Sequence, residues 1–116
     1  MSAAPDSNSI PAKMIVRHGN REWLWGTDDT ALLAAIDVAF RRRLAMGETV
    51  FFASISAESS GRSYASLVIP PDAFVQFSYT DFDGDTLTPL AAQVEDQVER
   101  FGGIMIGPGD TLIPQE

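Results

Sequence analysis

Residues 27–47, TDDTALLAAIDVAFRRRLAMG, decide how the rest of the chain is read, because they form a bounded amphipathic helix that runs straight into the strand-like TVFFASIS at 49–56. Leu32, Leu33, Ile36, Ala39, Phe40 and Leu44 recur at three- and four-residue intervals, which puts them on one stripe of a helix and leaves Asp37 and Arg41 off it. Thr27, Asp28 or Asp29 can accept a hydrogen bond from the free amides of a helix start, and the aspartates suit the positive end of the helix dipole. Arg41, Arg42 and Arg43 occupy the closing turns, where cations suit the negative end, and Gly47 can take the left-handed conformation that stops the helix. The spacing predicts Ile36 and Phe40 as core residues.

Upstream of the helix, residues 14–18 and 21–25 flank Gly19-Asn20, a pair suited to the positive backbone dihedrals of a two-residue hairpin turn. Ile15, Leu24, Trp23 and Trp25 give this ribbon apolar surface on both sides of the alternation, so one tryptophan is expected to be less buried than the other. Downstream, residues 49–56 and 63–69 are rich in β-branched and aromatic types and are separated by AESSGR, as in two antiparallel strands joined by a polar loop. Pro70-Pro71 ends the second. Residues 73–79 supply a further strand and the turn-rich TDFDGD follows it. Thr88 as a cap with Pro89 at the first helical position opens a second helix, on which Leu90, Val94, Val98 and Phe101 align, and Gly102-Gly103 closes it. Residues 104–106 form a short last strand, with an irregular tail. The order β-β-α-β-β-β-α-β predicts an α+β domain: one largely antiparallel sheet of five to six strands with both helices on one face.

Composition bounds the remaining choices. The 116 residues fit one domain, with 45% hydrophobic and 21% charged residues, and no apolar run approaches the roughly 20 residues of a membrane helix. There is no cysteine, which excludes disulfides, thiolate metal sites and cysteine nucleophiles together. Residues 1–13, MSAAPDSNSIPAK, lack the parts of a secretory signal and have the composition of a disordered leader, so the folded domain is expected over 14–116, with Met14 a candidate alternative start. A formal charge of -8 opposes nonspecific binding to phosphate backbones.

Motifs for chemistry are sparse. Asp81, Asp83 and Asp85 around Gly84 resemble an oxygen-rich calcium loop, but alignment on the loop glycine puts Tyr79 and Leu90 where the first and last acidic ligands belong, so a solvated turn is expected. His18 is the sole histidine, and a transition-metal site would have to be completed by carboxylates. Ser59, Ser60 and Ser63 lack a nucleophile elbow, and no glycine-rich phosphate loop appears. Arg41, Arg42 and Arg43 point about 100 degrees apart on a helix and make no flat phosphate-binding patch. Arg62, in the polar connection, can present a planar fork to a carboxylate or phosphate.

The outline resembles a family of small actinobacterial proteins of unknown function, some of which carry the label ATP-dependent DNA ligase. The shared features are the aspartate-led helix ending in Arg42-Arg43-Leu44-Ala45-Met46-Gly47-Glu48, then an aromatic strand, and then Ser60-Gly61-Arg62-Ser63 opening the next strand. A proline break, a strand, a helix and a Gly-Gly turn into an apolar strand complete it over residues 14 to about 114. The chain departs from the family's Arg-Arg-Gly-Glu link by inserting Leu44-Ala45-Met46. The resemblance implies a bacterial, actinobacterial or actinophage protein of the cytoplasm. The ligase label does not transfer, because a nucleotidyl-transferring ligase needs a nucleophilic lysine and the only lysine is Lys13 in the leader.

The reading expected from the sequence is a noncatalytic protein-interaction domain without cofactor or metal, able to self-associate as a homodimer through a sheet edge or the Trp23/Trp25 ribbon. The candidate interaction residues are Trp23, Trp25, Arg41, Arg42, Arg43, Arg62, Asp81, Asp83 and Asp85. The alternative is an acidic inhibitor or DNA mimic whose carboxylates occupy a basic site on an enzyme. Neither reading involves a membrane or binding to nucleic acid.

Overall fold

The computed structural model describes residues 12–58, 61–80, 84–109 and 111–113. Its elements are β1 (Ala12–His18), β2 (Arg21–Thr27), α1 (Thr30–Ala45), β3 (Val50–Glu58), β4 (Gly61–Ile69), β5 (Phe74–Tyr79), α2 (Gly84–Phe101), β6 (Gly103–Gly107) and β7 (Thr111–Leu112). The α+β class is as expected, but the strands divide into two sheets, ordered β2-β1-β5 and β4-β3-β6-β7. All pairs are antiparallel except β3 with β6, which run parallel. The split follows from Pro70-Pro71. Ala73 N–H donates to the Pro70 carbonyl in a turn that carries the chain away from β4, so β5 pairs with β1 instead of folding back on its predecessor.

α1 begins and ends on the residues that the sequence nominates. Asp29 is the cap, its side chain accepting from Leu32 N–H at 3.0 Å, while Thr27 Oγ1 accepts from Asp29 N–H. At the other end Gly47 sits at φ +80°, its N–H donating to the Leu44 carbonyl, and Glu48 N–H reaches the Arg43 carbonyl. Ile36 and Phe40 are fully buried, as the stripe requires. Burial extends beyond the stripe to Ala31, Ala34, Ala35 and Asp37, because α1 packs on both sheets and also along α2. The alanines on its flank leave room for that second helix.

The core closes around Phe52 on β3. Its ring meets Trp25 at 4.9 Å and Trp23 at 5.5 Å from the first sheet, and Phe40 of α1 at 6.4 Å, so one side chain joins two sheets and a helix. Both tryptophans face inward and are half-buried, whereas Leu24 between them points out at 43% exposure. The period-two alternation of a strand puts residues two apart on one face, so the two tryptophans share the inner one.

Three boundaries differ from the sequence expectation. Ala12 is fully buried and pairs with Thr27 and Tyr79, so the domain starts two residues before Met14, while residues 1–11 of the expected leader lie outside the described residues. α2 starts at Gly84 and runs through Pro89, so Thr88 is inside the helix rather than its cap. Pro89, at the sixth position of the helix, gives up the bond its N–H would have made to the Asp85 carbonyl. The expected irregular tail contains β7, which folds back on β6 through a turn with Gly109 at φ +76°, while Gln97 on α2 donates to the Ile113 carbonyl. No helix among the described residues is long and apolar enough to cross a membrane.

Two stability predictions follow from these contacts. Phe52→Ala should cost about 3 to 5 kcal/mol in chemical denaturation, since it removes transfer energy and opens a cavity among three rings, whereas Arg100→Ala should change stability by less than about 1 kcal/mol. A chain begun at Met14 should melt below one begun at Ala12, because it loses the first rungs of two strand ladders, an effect of about 1 to 2 kcal/mol. Equal melting curves would show that Ala12 contributes no pairing.

Candidate interaction surface

Strand alternation gives the second sheet two different faces. Val50, Phe52, Leu67, Ile69, Ile104 and Ile106 point into the core. The opposite face carries Phe51, Ala53 and Ile55 of β3, Tyr64, Ser66 and Val68 of β4, and Met105 of β6, brought side by side by the pairs Phe51↔Val68, Ile55↔Tyr64 and Ala53↔Met105. Tyr64 is 69% and Val68 68% exposed, and Phe51, Ile55 and Met105 are half-buried, so the face is apolar, uncharged at these positions and open. Gly103 shapes one side of it. A Cβ there would collide with the Phe51 carbonyl oxygen and ring, so the glycine is what lets the Phe51 ring lie across β6. β4 borders this face, and among the described residues it has no strand on its other side.

The arginines of the helix end are committed elsewhere. Arg41 Nη2 lies 2.8 Å from Asp37 on its own helix, Arg42 Nη1 2.5 Å from Glu95 on α2, and Arg43 Nη2 3.2 Å from Glu48. The run therefore fastens α1 to α2 and to the loop that precedes β3, and its three residues reach in different directions, as their helical spacing requires. Arg42 and Arg43 also lie in the last turn of α1, where the dipole favours them.

Asp37 is the polar residue that the helix stripe misplaced. It is buried, and its carboxylate accepts a 2.8 Å hydrogen bond from the Tyr79 hydroxyl on β5 and bonds from Arg41. Two partners of this kind are what a carboxylate needs to stay inside. The hydrogen bond from Arg41 to Asp37, with the charge of that carboxylate, raises the Arg41 pKa. Burial first, and then the hydrogen bond and charge of Asp37, raise the Tyr79 pKa above that of an ordinary phenol. The i,i+4 spacing of Asp37 and Arg41 is visible in the sequence, but Tyr79, 42 residues further on, is not.

Of the remaining sequence candidates, Trp23 and Trp25 wall the core, and Trp23 also borders a surface cleft of about 340 Å³ shared with Val16, His18, Arg21, Glu22, Leu67, Val68 and Pro70. His18 Nε2 stands 3.4 Å from the Asp72 carboxylate. Arg62 lies in β4 opposite Ala57. Asp85 is in the first turn of α2, and Asp81 and Asp83 lie outside the described residues. Comparison with protein-family models, curated proteins and solved structures gave no match.

The Tyr79–Asp37 bond gives a pH prediction. A phenol whose pKa is higher in the folded state than the unfolded value of about 10 contributes stability that is complete below that value and is lost as pH rises through the folded pKa. Tyr79→Phe should therefore destabilise by about 1 kcal/mol at pH 8, with the gap to the parent narrowing above about pH 10 in parallel melts. A gap that widens with pH would reverse the assignment.

Proposed function

We propose that this chain is a noncatalytic protein-interaction domain that pairs with a second copy of itself through β4 and the outer face of its sheet. The reading rests on Tyr64 and Val68, two large apolar side chains more exposed than not, on a strand whose far edge is open among the described residues. Burying such a face is favourable in proportion to its apolar area, and an open edge offers unpaired N–H and C=O groups to another strand. Charge favours a second copy at this place in particular. In a chain of net charge -8, β4 (GRSYASLVI) contains no acidic residue, so two copies can approach there without carboxylates meeting.

The alternative of a nucleic-acid mimic needs free, regularly spaced carboxylates. It is less well supported, because Glu22, Asp37, Glu48, Glu95 and Asp96 are each held by an arginine of the same chain. The resemblance noted from the sequence suggests a bacterial cytoplasm as the setting.

Sedimentation equilibrium of the full chain between about 1 and 200 μM should reveal a reversible dimer. Tyr64→Lys should weaken it about tenfold or more while leaving the melting temperature of the dilute protein unchanged, since the side chain supports no core contact. A monomer across the whole range would end the self-association reading.

A further inference from the structure

We propose that the cleft between the β1–β2 hairpin and the end of β4 is a binding site for a small monocarboxylate with a flat apolar body. Its volume of about 340 Å³ lies at the low end of the range for ligand pockets, roughly 300 to 1,000 Å³. Its walls are apolar: buried Val16, half-buried Trp23 and Leu67, exposed Val68 and half-buried Pro70. Leu67 and Val68 point to opposite faces of β4, so the cleft wraps the strand's open edge where the hairpin overhangs it.

The anion preference comes from Arg21. Arg17, Arg41, Arg42, Arg43 and Arg100 each stand in an ion pair with a carboxylate, in a chain where acids outnumber bases. Arg21 borders the cleft, and its side chain has no ion pair or hydrogen bond among the described residues. The acid beside it does not fill that role, because Glu22 is claimed by Arg17, its partner across the ladder. Arg17 is held in turn by the Phe74 ring on its other side, 5.5 Å from the guanidinium. His18, which faces Arg21 in the ladder, leans to Asp72. An unengaged guanidinium over an apolar, tryptophan-walled slot matches a carboxylate whose remaining atoms are flat and apolar: the fork takes the two oxygens and the slot takes the body. A neutral ligand would leave Arg21 unused, and the second charge of a dianion would meet Glu22 in the cleft lining.

The test titrates cinnamate and, separately, cinnamamide into the full-length protein below the concentration of any self-association, following the Trp23 indole N–H and the Leu67 and Val68 amides by NMR. Cinnamate should shift these resonances saturably and bind about tenfold tighter than the amide, the difference expected of a charge-assisted hydrogen bond. Arg21→Gln should abolish that preference and Arg21→Lys should retain part of it. Both variants should melt with the parent because the side chain is exposed, and Tyr64→Lys, which lies outside the cleft lining, should bind cinnamate as the parent does, which distinguishes this site from the proposed pairing although the two share Val68. Equal binding of acid and amide, saturable shifts that map away from the cleft, or no saturation by about 10 mM cinnamate would each overturn the proposal.

Discussion

The contact on which the architecture depends is the burial of Phe52 between the tryptophans of the hairpin and Phe40 of the first helix. The sheets share no strand, so nothing in their ladders holds one against the other. Aromatic packing does, with ring separations of 4.9 to 6.4 Å and the tilted or edge-to-face geometry that ring quadrupoles favour. The hairpin is also the element that overhangs β4 and forms the cleft. Arg21 shares the face of β2 that carries Trp23 and Trp25, so its position relative to Leu67 and Val68 is set by the contact of those rings with Phe52.

Charge pairing organises the surface around that core. The arginine run at the end of α1 is divided among Asp37, Glu95 and Glu48, and the division is structural: one pair lies within the helix, one joins the two helices, and one reaches past the helix stop. Exposed pairs of this kind contribute little to stability individually. Their larger consequence is to neutralise the positive patch that a nucleic-acid binder would display. Asp37 differs because it is buried, and its place is secured by Tyr79 from a strand of the other layer. Arg21, beside an apolar slot, is a guanidinium without such a partner among the described residues.

The outer face of the second sheet shows a tension between folding and solubility. The parallel pairing of β3 with β6 needs Gly103, whose missing Cβ leaves room for the Phe51 ring, and this keeps an aromatic residue on the solvent side. Tyr64 and Val68 extend that apolar surface to an open edge, the arrangement that natural sheets usually cover, charge or shorten. Pairing with a second copy would resolve the tension without altering the core.

The sequence by itself determined the local elements. Asp29, the three- and four-residue spacing of Leu32, Ile36 and Phe40, and Gly47 act within one helix, and Gly19-Asn20 acts within one turn, so their meaning is carried by near neighbours. It also determined the α+β class and a composition that disfavours polyanions. The tertiary structure decided which strands pair, that Ala12 belongs to the core, that α2 runs through Pro89, and that Asp37 is buried against Tyr79. It alone placed Arg21 beside Leu67 and Val68. These outcomes depend on residues dozens of positions apart, and strand periodicity assigns a residue to a face without naming the partner strand. For the same reason Trp23 and Trp25, which as sequence suggest a sticky ribbon, became the wall of a core once Phe52 was brought against them.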